Sequence, residues 1–357
     1  MSYFQPRFTA RAAPVRVRFG AGVRRELADE ITALGCNRAL ILSTPPQSET
    51  ALEFAEMIGT LAAGVFTRAA MHTPVEISEE ATSYANEIAA DCVIAVGGGS
   101  TTGLGKAIAY RTDLPQLVVP TTYSGSEATP ILGQTDAGRK TTLTDAKVQP
   151  EVIMYDAELV STLPIPMTVT SALNAMAHAV EALYARDRNP LSTALAVEGL
   201  TAFATALPRV IDAPDDLDAR GETLYGAWLC GTVLGQVGMA LHHKLCHTLG
   251  GSLDLPHAET HAIILPHAIA FNEVAVPDLL RPAAEALGGA TAGSALYDFA
   301  EAAGAPMALR GMGLVEAELD RAARLATENP YWNPREVDRP GIRALLQRAW
   351  DGARPAA

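Results

Sequence analysis

The first 160 residues alternate short apolar, β-branched runs with amphipathic stretches, a pattern that predicts strands of a parallel sheet joined by helical crossovers. Val15-Arg16-Val17-Arg18-Phe19 alternates at period two and stops at Gly20-Ala21-Gly22, which predicts a strand and a turn. Residues 22–34 then read as a helix, 38–42 as a buried strand, 64–66 as a third strand, and 75–90 as a helix after Pro74. The apolar run 91–96 predicts a strand that passes through Gly97-Gly98-Gly99-Ser100 into a helix carrying Lys106. A strand is expected at 117–120, a hairpin strand around Lys140 in GRKTTLTD, and a last strand at 152–155.

Beyond Leu163-Pro164-Ile165-Pro166 the texture becomes alanine- and leucine-rich with helical spacing. Helices are expected over 168–185, 191–207 and 220–234 and, beyond a histidine-rich segment 241–272 that contains a loop-like LDLPH, over 277–287, 292–303, 316–327 and 342–350. The expected architecture is an α/β domain over 1–163 followed by an all-α domain over 164–357, each long enough to bury its own core.

Charge and cysteine usage narrow the function classes. The chain has 27 Lys plus Arg against 40 Asp plus Glu, a formal charge of −13, and no basic run, so nucleic acid is not an expected partner. Four cysteines are scattered without a CxxC pair and no charged segment leads into an apolar one, so a reduced, cytoplasmic protein is expected. No apolar run is expected to span a bilayer, which takes about 20 residues.

Three stretches carry candidate chemistry. A strand, glycine loop and helix at 91–108 form a backbone that approaches a pyrophosphate closely and turns amides and a helix dipole towards it. Thr121, Thr122, Tyr123, Ser124 and Ser126 follow the strand 117–120 and bring hydroxyls to the same sheet edge, as Ser43 and Thr44 do after 38–42. The segment Leu241–Asn272 holds His242, His243, His247, His257, His261 and His267 among apolar residues. His243 and His247 are one helical turn apart, and Asn174, His178 and Glu181 share a face of the helix 168–185. Clustered imidazoles either bind a metal or move protons near neutral pH. The plainer expectations are that His242 is solvated, His261 ends a helix, His267 packs in a core and Glu181 is an exposed helix charge. Trp228 and Trp350 read as packing residues.

In order along the chain, FGAG, GGGS after a strand, TTYSGSE, HHKLCHTLGGSLDLPH and LPHAIAFN resemble the iron-containing, group III alcohol dehydrogenase superfamily over essentially the whole length. Within it, GGGSTTGLGKAIA, KTTLTDAKVQPEVIMYDAEL, TSALNAMAHAVEALYARDRNP and ENPYWNPRE are similar to the maleylacetate reductases. The resemblance implies a Rossmann-like dinucleotide-binding domain, a helical domain, a homodimer, and NADH- or NADPH-dependent reduction of maleylacetate, a dicarboxylate, to 3-oxoadipate in aromatic catabolism. It places Gly97, Gly98, Gly99, Ser100 and Thr101 on the pyrophosphate loop, and Thr121, Thr122 and Ser126 on a second cofactor loop. Thr73 falls near the nicotinamide ribose, and Lys140 on a lysine that reaches the cofactor. After the second strand stand Ser43-Thr44-Pro45 in place of a carboxylate that would repel a 2′-phosphate, so use of both cofactors is expected.

Metal-binding members supply an aspartate and three histidines, and the matching positions are Asn174, His178, His243 and His257. A neutral amide is a poor ligand for a divalent transition metal, so no required metal is expected; if one binds, His178, His243 and His257 hold it. Without a metal, His243 is the expected acid that polarises the ketone, with His247 relaying protons. His178, His257 and Asn174 are then expected to hold a substrate carboxylate, with Tyr123 and Ser124 as neutral donors. The competing readings are a metal-dependent alcohol dehydrogenase of the same superfamily and a lyase resembling dehydroquinate synthase.

Overall fold

The computed structural model describes residues 5, 7–10, 13–328 and 331–355, without the side chain of Lys140. The chain divides into two compact units, Ala12–Leu163 and Pro164–Ala357, and the described residues among the first eleven belong with the second. An N-terminal domain over 1–163 does not include that detail, and nothing in the periodicity of those few residues signals it.

The sheet unit contains β1 (Arg16–Phe19), α1 (Leu27–Ala33), β2 (Ala39–Leu42), α2 (Ser48–Ile58), β3 (Ala62–Phe66), α3 (Val75–Glu87), β4 (Cys92–Gly97) and α4 (Gly99–Thr112). It continues with β5 (Gln116–Pro120), β6 (Ile131–Asp136), β7 (Arg139–Thr144), β8 (Val152–Tyr155) and the single turn α5 (Ala157–Val160). Six strands form a parallel sheet in the order β1-β8-β5-β4-β2-β3. β6 and β7 pair separately as an antiparallel hairpin. Strand alternation gives the sheet two cores. Ile41, Ile94, Val96, Leu117 and Met154 pack on one face with Leu27, Ile31 and Phe54. Leu40, Leu42 and Val93 pack on the other with Leu104 and Ile108. The chain leaves β2 for one edge and β4 for the other, so the crevice beyond the carboxyl ends of these neighbours is the topological switch point.

Helix limits move from those expected where local chemistry intervenes. The expected helix 22–34 begins as a tight 3₁₀ turn, because Gly22 is left-handed, and turns α-helical only at Leu27. The segment 241–272 is two helices that break at Asp254, whose φ is 54°, within the LDLPH stretch read as loop-like.

The helical unit runs through α6 (Ile165–Tyr184), α7 (Pro190–Asp212), α8 (Leu217–Leu234), α9 (Leu241–Leu253), α10 (His257–Glu273), α11 (Pro277–Ala286), α12 (Ala292–Ala302), α13 (Leu319–Thr327) and α14 (Arg339–Asp351). α6 is buried on nearly every side from Thr168 onward and packs against α7, α8 and α10. An all-round apolar helix of this kind is the centre of a helical core. α7 starts with a capping box between Asn189 and Ser192 and with Pro190 in its first turn. Contrary to the expectation that no segment reaches spanning length, α7 is long and apolar enough to cross a bilayer. Its Leu200, Phe203 and Leu207 are instead fully buried in this unit.

Candidate active site

The carboxyl end of β4 delivers the glycine loop. Gly97 has φ of 152°, and a Cβ there would lie 2.5 Å from Thr101 Oγ1 and 2.9 Å from Gln47 Oε1. A Cβ on Gly98 would meet Thr122 Oγ1 at 2.9 Å. α4 begins at Gly99, its N-cap Gly98 offers no side chain to the first amides, and Gly99 is exposed. The result is a cradle of bare backbone at a positive helix end, which fits a pyrophosphate.

Other predicted cofactor residues converge on this cradle. The Thr121 amide donates to Gly97 O at 3.1 Å. Gln47 Nε2 donates to Thr121 Oγ1 at 3.0 Å, and Thr44 Oγ1 to Gln47 Oε1 at 3.1 Å, so the loops after β2, β4 and β5 are tied together. Ser43 is fully buried and donates to Thr44 O. Thr101 is buried with its hydroxyl unpartnered, and Ser100 is half-buried. His72 and Thr73 are both left-handed, with φ of 64° and 47°, a strained pair of the kind found at ligand-binding loops. The Lys140 side chain lies outside the described residues.

The expectation that Tyr123 and Ser124 present donors to substrate meets a different arrangement. Tyr123 is fully buried, and Ser124 Oγ donates to Glu127 Oε2 at 3.2 Å. Packing beneath the loop has taken both side chains up. Below them Lys106 Nζ is buried and donates to the carbonyls of Ser126, Thr129 and Ile131 at 2.5, 2.6 and 2.9 Å. Burial lowers this ammonium to about 7 against the pull of Glu127. Lys106 and Gln47 hold the loops in place, and neither stands out in sequence from an ordinary helix residue.

In the helical unit, α6 and α9 bring His178 and His243 side by side, ring centroids 5.2 Å apart. His247, one turn further along α9, is exposed, with its ring 6.2 Å from that of His243. His257 opens α10 and lies 4.2 Å from His261. Asn174 Oδ1, His178 Nδ1 and His243 Nε2 are buried without a hydrogen-bond partner.

Glu181, expected as an exposed helix charge, is fully buried. It accepts the amides of Ala240, His242 and His243 at 3.1, 2.9 and 3.4 Å, and His243 Nδ1–H at 2.6 Å. Its carboxylate therefore caps α9 and fixes the His243 ring with Nε2 turned away from it. The spacing His178, Glu181 on one face was legible; its partner was not, because α9 is about sixty residues away in sequence. His242 is likewise not solvated but fully buried, its Nε2 3.1 Å from His261 Nδ1. His261 is buried too, and His267 packs in the core as expected.

Charge explains which imidazole is set apart. Burial, with repulsion from His243 and its neighbours, holds His242 down at about 3 and pushes His178 and His261 well below the usual range. Burial also works to raise Glu181, but the His243 hydrogen bond and charge, with help from His242 and the Ala240 amide, hold it at about 2. The one carboxylate in this cluster of described residues hydrogen-bonds a single imidazole, that of His243.

The donors at the superfamily's metal positions are three imidazoles and the Asn174 amide, all neutral when coordinating. The single carboxylate beside them is committed to His243 and to three backbone amides. Among the described residues, His178, His243 and His257 do not form a group whose donor atoms converge within 4.8 Å; His242, Cys246 and His261 do, and their close contacts are hydrogen bonds. This set does not fit a resident divalent iron, which lacks an anionic ligand here.

Comparison with known proteins agrees with this organisation. The iron-containing alcohol dehydrogenase family model matches residues 14–157, and that of the C-terminal part of the Fe-containing alcohol dehydrogenase family matches residues 168–350. A maleylacetate reductase of Rhizobium sp. (strain MTP-10005) is 61% identical over 98% of this chain and 99% of its own. The crystal structure of a maleylacetate reductase from Agrobacterium tumefaciens superposes with a TM-score of 0.96 at 60% identity, covering 99% of this chain and 100% of that one. A sulfoacetaldehyde reductase from Bifidobacterium kashiwanohense, solved in complex with NAD+, shares the fold at 21% identity, with a TM-score of 0.87 over 95% of this chain and 97% of its own. The chain belongs to the iron-containing alcohol dehydrogenase family of oxidoreductases.

Proposed function

We propose that the chain reduces maleylacetate to 3-oxoadipate with NADH or NADPH, that His243 is the proton donor, and that no metal takes part. The observation that carries the reading is the His243 ring, bound through Nδ1 to buried Glu181 with Nε2 unpartnered. The close relatives named maleylacetate reductase supply the substrate.

The net reaction saturates a carbon–carbon double bond conjugated to a ketone. The glycine cradle at Gly97–Gly99 would hold NAD(P)H, which would supply the hydride. As that hydride reaches the double bond, negative charge develops on the ketone oxygen. His243 Nε2–H donates its proton there to give the enol, which becomes the ketone 3-oxoadipate as that proton passes to the carbon next to the carbonyl, while Glu181 holds the ring through Nδ1, as a carboxylate does for a catalytic histidine. His178, held neutral, joins Asn174 and His257 in binding a substrate carboxylate. His247, exposed one turn along α9, carries protons between solvent and His243. The residues after β2, Ser43-Thr44-Pro45, offer no negative charge to a 2′-phosphate, so both cofactors are accepted.

The test is turnover of maleylacetate with each cofactor, before and after exhaustive chelation. Rates with NADH and NADPH are expected within about tenfold of each other and unchanged by chelator, and His243→Ala should lose about a hundredfold or more in kcat without weaker cofactor binding. Activity that disappears on chelation and returns with Fe²⁺ or Zn²⁺ would overturn the metal-free reading. An undiminished His243→Ala would remove His243 as the acid.

A further inference from the structure

Asn333 lies in the loop 331–335, sixty-one residues beyond Asn272 of α10. The two form a reciprocal amide pair: Asn272 Nδ2 donates to Asn333 Oδ1 at 3.0 Å, and Asn333 Nδ2 to Asn272 Oδ1 at 2.7 Å. Asn333 Nδ2 also donates to Arg335 O at 2.7 Å. A backbone carbonyl can only accept, so this contact fixes which end of the Asn333 amide is nitrogen. That choice fixes Asn272, whose remaining N–H goes to Tyr184 Oη at 3.1 Å. A phenol oxygen receiving that proton sends its own O–H to Glu181 Oε1, 3.0 Å away. Glu181 then meets His243 Nδ1 through its other oxygen, Oε2.

The loop is held from two further sides. Arg335 donates to Phe271 O at 2.8 Å and stacks on the Phe271 ring at 4.0 Å. Lys244, next to His243, lies 5.5 Å over the Tyr331 ring. Tyr184, Glu181 and Asn272 are all fully or almost fully buried, so each bond acts where water does not compete.

We propose that Asn333, Asn272 and Tyr184 are positioning residues of the reduction, a directed chain of hydrogen bonds by which the loop 331–335 sets the Glu181 carboxylate against His243. The chain rests on His243 as the proton donor. Saturating one carboxylate oxygen with the Tyr184 hydroxyl leaves the other aligned on the imidazole, and the loop keeps the hydroxyl from turning away. A core network with no catalytic role would contribute to stability alone.

The experiment is a double-mutant cycle on the full chain with Tyr184→Phe, Asn333→Ala and both together. Each single variant is expected to lower kcat for maleylacetate by about threefold to tenfold, with KM for NADH within about twofold of the parent, and the double variant to be no slower than the slower single one. The His243 Nδ1–H proton resonance should move upfield in both single variants. Reductions that multiply in the double variant, or a lower melting temperature with unchanged kcat, would overturn the proposal. If the parent protein fails to turn over maleylacetate, the substrate reading fails on its own, and the resonance still decides whether the loop reaches His243.

Discussion

At the scale of single residues, Glu181 sets His243 apart from the other buried histidines, because it accepts the His243 Nδ1–H. Glu181→Gln keeps the shape and one acceptor but removes the carboxylate charge beside His243 Nδ1. Its kcat is expected to fall by about tenfold or more while the dissociation constant for NADH stays unchanged, measured by stopped-flow reduction and by fluorescence titration. Equal kcat in the variant would show that the Glu181 carboxylate only caps α9. The sequence placed His178, His243 and Asn174 in register, because helical spacing and the superfamily motifs fall on them. It misjudged Glu181 and His242, since burial of a charged or polar side chain depends on a partner that local periodicity does not encode.

At the scale of elements, the switch between β4 and α4 is read most directly from sequence. A run of apolar residues followed by three glycines requires a strand, a backbone turn and a helix start in that order. Gly98→Ala tests the cradle without backbone strain, because Gly98 has φ of −89°. The added methyl would press on Thr122, so KM for NADH is expected to rise by about tenfold while the melting temperature changes by only a degree or two. An unchanged KM would mean that the pyrophosphate does not approach this backbone. The loop after β5 was less legible. Its hydroxyls were visible in the sequence, but Ser124 was already engaged by Glu127, and the loop is shaped by Lys106 from beneath.

At the scale of the whole molecule, the buried imidazoles tie stability to pH. Between pH 6.5 and about 3 the unfolded chain protonates His242 while the folded chain does not, so stability falls as pH falls through that window. His178 and His261 act in the same direction, and Glu181 adds its own loss below the ordinary carboxylate range towards about 2. At pH 5 His242 alone removes about 2 kcal/mol, so thermal melts should show a clear drop between pH 7 and pH 5, smaller in His242→Gln. A flat profile would show that these rings take up protons in the folded state. The sequence by itself determined the parallel sheet, the helical half, the glycine cradle and the neutral amide at Asn174, because each is written in local periodicity or in residue identity at one position. Tertiary structure alone decided which carboxylate faces which imidazole, and that Asn333 reaches Glu181 through Asn272 and Tyr184. Apart from Tyr184 and Glu181, three residues apart on α6, those pairings join segments some sixty or more residues apart, and only packing settles which buried polar groups must satisfy one another.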